Sequence, residues 1–179
     1  KNSSKPHHQT SDKRLTKTDK LILLDFGVKL NNYCSDMTRT VFFGKATSKQ
    51  REMYETVLAA QQKSIDYLHL GGGRMDSSEV DKTARDYITS KGYPTIPHSL
   101  GHGIGLEVHE SPHLSPLSKD ILKEGMVFSI EPGIYLPAEA LAKEGLPEFG
   151  GVRIEDLVVL EKSGPKFLTK SPKKLIELD

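Results

Sequence analysis

Between Pro97 and Glu110 the chain sets His98, His102 and His109 among glycines at 101, 103 and 105. A glycine inside a helix costs about 1 kcal/mol relative to alanine, so this stretch is expected to be extended or looped. In an extended chain alternate side chains share a face, which puts His98 and His102 on one side, while bare backbone at the glycines lets another group come close. That is a way to build a site around an imidazole. The bland alternative is a glycine-rich surface loop with solvated histidines, and the clustering weighs against it. Acids recur at positions that are otherwise apolar: Asp25 closes the run Leu21-Ile22-Leu23-Leu24, Glu131 follows Met126 to Ile130, and Glu155 lies within the apolar stretch 151–160. Asp36 shares a period-two face with Thr38 and Thr40. Four carboxylates converging on one core repel one another and take up protons unless cations lie between them. Oxygen ligands with one imidazole suit Mn, Co, Zn or Fe(II), and five such ligands exceed what one ion takes, so two bridged ions about 3.5 Å apart are the natural count. The competing account makes the acids edge-strand salt bridges, with Arg153 and Glu155 paired at i, i+2.

These residues need elements to carry them. Residues 1–20 have no apolar period and read as loop, although they hold His7 and His8. Leu21 to Phe26 reads as a buried strand, with Asp25 requiring a partner from elsewhere, and Tyr33 to Phe43 should pair back on it as a hairpin. Thr47-Ser48-Lys49-Gln50 fits a capping box, and Met53, Val57, Leu58, Ile65 and Leu68 recur at helical spacing up to Gly71-Gly72-Gly73. A second helix is expected from Asp76 to about Ser90, stopped by Gly92; both helices read as packing elements. Glu110 to Ser118 is expected to be a loop with His113 in solvent. Leu122 to Gly125 should turn into the strand Met126–Ile130. Residues 137–150 read as an excursion loop, and 151–160 as the last strand.

The chain has 179 residues, room for one domain with a real core. Lys and Arg number 25 against 24 Asp and Glu, so the net charge of +1 gives no electrostatic case for nucleic acid or an anionic membrane as partner. A single cysteine, Cys34, excludes an intrachain disulfide and a cysteine-based zinc site, and agrees with a reducing, cytoplasmic compartment. No apolar run approaches the roughly 20 residues of a membrane span.

Five motifs in order then resemble the pita-bread metallopeptidases, in the Xaa-Pro aminopeptidase and prolidase branch. They are Leu24-Asp25-Phe26-Gly27, Ser35-Asp36-Met37-Thr38-Arg39-Thr40, His98-x-x-x-His102-Gly103-Ile104-Gly105 with Val108-His109-Glu110, Ile130-Glu131-Pro132-Gly133-Ile134-Tyr135, and Val152-Arg153-Ile154-Glu155-Asp156. The resemblance covers about Pro6 to Leu168. It implies an α+β fold, a curved antiparallel sheet backed by helices, with a dinuclear metal site in its cavity. By that resemblance Asp25 chelates one ion, His102 and Glu131 bind the other, and Asp36 and Glu155 bridge them. Manganese is the first expectation for the two divalent ions, with Co, Zn or Fe behind it. Glu131 would take and pass the proton of the attacking water. His98 and His109 would stabilise the tetrahedral intermediate or shuttle a proton to the leaving amine. His7, ahead of His8, would contact substrate, and Arg153 would either bind a substrate carboxylate or orient the site.

The implied activity is hydrolysis of the Xaa-Pro bond in dipeptides or at peptide N-termini. The alternatives are a methionine aminopeptidase, which shares the five ligands, and a non-catalytic peptide-binding module on the same fold. Residues 1–179 are expected to form one catalytic domain lacking the helices and strand that the family usually has before the Pro-His step, so that a homodimer or an upstream segment would cover an exposed sheet edge. The 137–149 loop is longer than the resemblance leads one to expect and lies where it could overhang the cavity.

Overall fold

The structure is a computed structural model that describes residues 2–12, 14–15, 21–70, 75–136 and 150–179. The expected triple-glycine stop at 71–73 and the 137–149 overhang lie outside the described residues. After a single 3-10 turn at Asn2–Ser4, the apolar run becomes strand β1 (Leu21–Phe26). The chain folds back through the short pair β2 (Lys29–Leu30) and β3 (Tyr33–Cys34) into β4 (Met37–Phe43), which pairs antiparallel with β1 along its whole length. The turn between β2 and β3 is made by Asn31 and Asn32, both at positive φ, a conformation asparagine tolerates better than most residues.

Helix α1 (Ser48–Leu70) starts with the predicted capping box: Gln50 N donates to Thr47 Oγ1 at 3.2 Å, and Thr47 N donates to Gln50 Oε1 at 2.9 Å. Its buried stripe of Met53, Val57, Ala60, Ile65 and Leu68 meets Val80, Ala84 and Ile88 of α2 (Ser77–Ser90), which enters from the short strand β5 (Met75–Asp76) and ends before Gly92 at φ +81. No helix among the described residues is long and apolar enough to cross a membrane.

The remaining strands are β6 (Gly101–Gly103), β7 (Glu110–Leu114), β8 (Ile121–Leu122), β9 (Val127–Ile130), β10 (Gly133–Tyr135), β11 (Gly151–Arg153), β12 (Asp156–Glu161), β13 (Gly164–Phe167) and β14 (Ile176–Leu178). Five form an antiparallel sheet in the order β13-β12-β9-β6-β7; β1, β4 and β14 form a second sheet in which β14 runs parallel to β4; β10 pairs with β11. The glycines of β6 allow its close packing: a Cβ on Gly101 would lie 1.9 Å from Ser129 O, and one on Gly103 2.1 Å from Ser111 O. The extended reading of the histidine stretch therefore holds, for the reason first given for its glycines.

Four expectations are corrected. Glu110 to Leu114 is a strand, despite Pro112, because β7 is the sheet's edge, where a missing N–H breaks no ladder bond. The run 151–160 is two strands: the chain leaves β10 after Arg153 and joins β9 from Asp156, so Ile154 and Glu155 sit at the crossing between sheets. Hydrophobic periodicity cannot show such a change of partner. It is also not the last strand, since β13 and β14 follow. Finally, β1 is an edge strand, buried at Ile22 and open at its far end, where Leu24 and Phe26 are exposed, so Asp25 is not a core carboxylate.

Candidate metal centre

Where the two sheets meet, a cavity of about 750 Å³ opens, lined by nine of the residues singled out above: His7, Asp25, Asp36, His98, His102, His109, Glu131, Arg153 and Glu155. His8 instead lines a smaller neighbouring cavity. The acids arrive from the ends and breaks of strands. Asp36 lies in the bend between β3 and β4, Glu131 just beyond β9, and Glu155 at the crossing before β12.

His102, on β6, has its backbone N bonded to Ser129 Oγ at 3.0 Å and its ring Nδ1 3.1 Å from Gly103 O. With Nδ1–H donating to that carbonyl, Nε2 is the ring atom turned to the acids, 3.3 Å from Glu131 Oε1 and 3.9 Å from Asp36 Oδ2, and its proton is the one a bound cation would replace. Glu131 is fixed by its backbone N donating to Leu100 O at 2.7 Å and by Ser129 Oγ donating to Oε1 at 3.2 Å. Glu155 is buried; Thr38 Oγ1 donates to its Oε2 at 2.7 Å, and Arg39 Nη1 donates to its backbone O at 2.5 Å. Its Oε1 is buried with no hydrogen-bond partner among the described residues.

Ligand atoms of Asp36, His102 and Glu155 all lie within 4.8 Å of one another, close enough to hold one ion. Asp25 stands apart from that cluster. Its carboxylate is paired with Arg153 Nη2 and its side chain is 45% exposed. The sequence-level pairing of Arg153 with Glu155 is thus replaced by Arg153 with Asp25, and Arg153 Nε lies 3.8 Å from Glu131 Oε2.

Protonation shows the strain of this crowding. Burial, then the charges of Glu131 and Asp36, push the Glu155 carboxyl up to about 8. Burial and the charge of Asp25 raise Asp36. Burial opposes protonation of His102, yet the Glu131 hydrogen bond and charge outweigh it and hold the imidazole at about 9. Burial likewise opposes ionisation of Glu131, but the bond to His102 keeps it below the usual carboxylate range. A group of acids that must borrow protons to coexist, with one buried oxygen lacking any donor among the described residues, has the chemistry that suits a divalent cation.

Around it stands a shell that positions the reactive groups. Arg153 Nη1 donates to Tyr135 Oη at 2.9 Å, and Tyr135 Oη is 2.9 Å from His98 Nε2, whose Nδ1 is 2.7 Å from Ser99 O. The donors run one way, Arg153 to Tyr135 to His98 to Ser99, which makes His98 a neutral ring protonated on Nδ1. Burial lowers the His98 pKa in the same sense. His109 packs edge-on to His102 with ring centroids 4.3 Å apart, and His7 contacts His98 at 6.0 Å.

Sequence reasoning gave no role to Tyr135, Thr38 or Arg39, though all three lie inside the quoted motifs and Thr38 shares the period-two face of Asp36. It also placed His113 in solvent. The side chain is exposed, but β7 sets His113 opposite His102 and onto the cavity wall.

The chain matches the profile of Metallopeptidase family M24 over residues 1–162. It is 45% identical to an Xaa-Pro dipeptidase of Pyrococcus furiosus, covering 97% of this chain and 46% of that protein. Among solved structures, an X-Pro aminopeptidase from Thermotoga maritima superposes with a TM-score of 0.86 at 37% identity, over 98% of this chain and 46% of that one. Prolidase from Pyrococcus furiosus superposes at 0.83 with 44% identity, over 95% and 47%. The fold is accordingly the pita-bread α+β fold expected from the motifs. The chain spans about half the length of the relatives it matches.

Proposed function

Since the chain belongs to metallopeptidase family M24, we propose that it is a divalent-metal-dependent exopeptidase that cleaves the bond between an N-terminal residue and proline. The observation that carries this reading is the buried Glu155, one oxygen held by Thr38 and the other without a donor, facing Asp36 and His102. Asp36, His102 and Glu155 form one ion's ligand set as they stand, with Glu131 beside His102. Asp25, now paired with Arg153, would help hold a second ion, with Asp36 and Glu155 as the ligands the two ions would share. Manganese is proposed first. Bound divalent ions supply Lewis acidity toward the scissile carbonyl and a nucleophilic water at neutral pH.

The chain's own residues do the rest. Glu131 is held between Ser129 Oγ and His102, placed to accept the water's proton and return it to the leaving nitrogen. His98 and His109 line the cavity without belonging to the ligand cluster, and in this reading they serve the developing oxyanion and the leaving amine, His98 acting in concert with Tyr135, to which its Nε2 is bonded. His7 and Arg153 line the same cavity, and the proposal gives His7 a contact to substrate and Arg153 either a substrate carboxylate or the orienting of the site. Proline in the leaving position has no N–H and a fixed φ, so it needs a cavity built for it. The relatives named for Xaa-Pro cleavage support that choice of substrate.

The test is turnover of Ala-Pro, Ala-Pro-Ala and Met-Ala-Ser with Mn, and after strong chelation. The proline peptides are cleaved, chelation abolishes turnover, and metal restores it. Preference for Met-Ala-Ser converts the reading to a methionine aminopeptidase, and no cleavage of any converts it to a peptide-binding module. His98→Ala and His109→Ala keep their metal while kcat falls by about 100-fold, in the range of lost acid–base contacts; metal loss in either variant reassigns that histidine as a ligand.

A further inference from the structure

Helix α2 lies outside the cavity lining, yet it reaches the site through a buried ion pair. Asp81 is fully buried and Arg85 is partly buried, its side chain 15% exposed, at i, i+4, with Arg85 Nε 2.5 Å from Asp81 Oδ2 and Nη2 2.9 Å from Oδ1. An ion pair with a fully buried carboxylate gains little stability over apolar packing, so what the pair holds is the more informative question. Both members also bond the backbone that carries the histidines. Arg85 Nη1 donates to Ile96 O, and Nη2 donates to His98 O at 2.5 Å. Asp81 Oδ1 accepts from Leu100 N at 3.1 Å. Leu100 in turn accepts from Glu131 N at 2.7 Å. One guanidinium–carboxylate unit therefore grips the segment on both sides of Ser99, and its second contact leads to the backbone of Glu131.

We propose that the Asp81–Arg85 pair is a positioning unit of the active site, setting the His98 ring against Tyr135 and the Leu100 carbonyl against Glu131. This rests on the peptidase reading only for its kinetic readout. The planar fork of arginine is what the task requires: it spans the carboxylate and two carbonyls at fixed angles, whereas a lysine ammonium can satisfy the charge of Asp81 without reaching both carbonyls.

The test is Arg85→Lys in the otherwise unaltered protein, with Asp81→Asn as the second variant, since an asparagine amide still accepts from Leu100 N. Each is compared with wild type for metal content, kcat and KM on Ala-Pro, and the histidine-ring ¹H–¹⁵N spectrum. Misplacing a reacting group by about an ångström costs up to ~100-fold, so kcat falls about 10- to 100-fold with KM and metal content near wild type and the His98 ring resonances shifted. In a His98→Ala background, Arg85→Lys then adds less than about twofold, because the ring it positions is gone. Effects that multiply in the double variant, or an unshifted His98 ring in both single variants, overturn the proposal. Should the wild type cleave no peptide, the peptidase reading falls, and the ring spectrum alone decides the positioning claim. If one variant fails to fold, the other carries the same outcomes.

Discussion

The two sides of the cavity are built differently. On the inner side, Glu131 just beyond β9, His102 on β6 and Glu155 just before β12 are carried by the five-stranded sheet, and each is hydrogen-bonded to a neighbouring hydroxyl. Phe128, Ile130 and Val158 behind them are fully enclosed. On the outer side, Asp25 rides the edge strand β1 beside an exposed lip of Phe26, Val28, Leu30 and Tyr33, held by an ion pair with Arg153. The difference teaches that a ligand set can be divided between a wall that the core fixes and a lip that solvent and peptide can reach. The fixed wall gives geometry, and the open lip gives access.

The comparison breaks most visibly on metal removal. Glu155→Ala takes the central acid from the buried wall, and Mn affinity and turnover together fall by more than ~100-fold, beyond what losing an outer-shell partner costs. Asp25→Ala on the lip leaves Asp36, His102 and Glu155 in place, so bound metal is halved and one ion stays. Elemental analysis of both variants after exhaustive dialysis measures this. Equal metal loss in the two would mean that the sides act as one unit.

The same division explains what could be read from the chain. The wall was legible because its constraints are local: glycines at 101 and 103 need close backbone neighbours, and an acid after an apolar run marks a strand end that points into a site. The first helix was legible to its capping residues at 47 and 50. What failed depended on partners far away in sequence. Pro112 looked like a loop residue because nothing local shows that β7 is an edge. The break at Ile154 and Glu155 hides in an apolar run whose two halves belong to different sheets. Asp25 looked buried because Leu21 to Phe26 is continuous in composition, although β4 covers only one of its edges. The reach of Asp81 and Arg85 toward the histidine segment has no sequence signature either, since i, i+4 charges on a helix usually face solvent.

A smaller effect follows from protonation of the wall without metal. The folded state raises Glu155 from 4.5 to about 8 and His102 from 6.5 to about 9. Both groups bind protons more tightly when folded. Stability from them is therefore full below 4.5 for the carboxyl and below 6.5 for the imidazole, and it is lost as pH rises through about 8 and 9. Metal replaces those protons and binds best where the ligands are ionised. The Tm gap between Mn-saturated and chelated protein should widen between pH 5.5 and 8.5 by at least ~3 °C, the shift that about 1 kcal/mol produces in a chain of this length. Parallel Tm curves would mean that the wall is not proton-strained.

The smallest effect belongs to the lip. Leu30 is 71% exposed and Tyr33 65%, at the tip of a hairpin tied to the 105–106 loop by Cys34 N donating to Gly105 O at 2.8 Å, Lys29 Nζ to Leu106 O at 3.0 Å and Cys34 Sγ to the same carbonyl at 3.5 Å. Those bonds do not involve the Leu30 side chain. Leu30→Ser should then change unfolding stability by no more than about 0.5 kcal/mol, as exposed substitutions away from special features do. Phe128→Ala in the wall should cost about 3–5 kcal/mol, because it empties an enclosed volume. Urea midpoints of the two variants give the contrast directly. Leu24, Phe26, Val28, Leu106 and Val108 are exposed beside Leu30, and an apolar surface of that extent is costly to leave wet. If Leu30→Ser destabilises by more than about 1.5 kcal/mol, or shifts the mass seen by light scattering, then the lip is covered in solution and the contrast with the wall narrows.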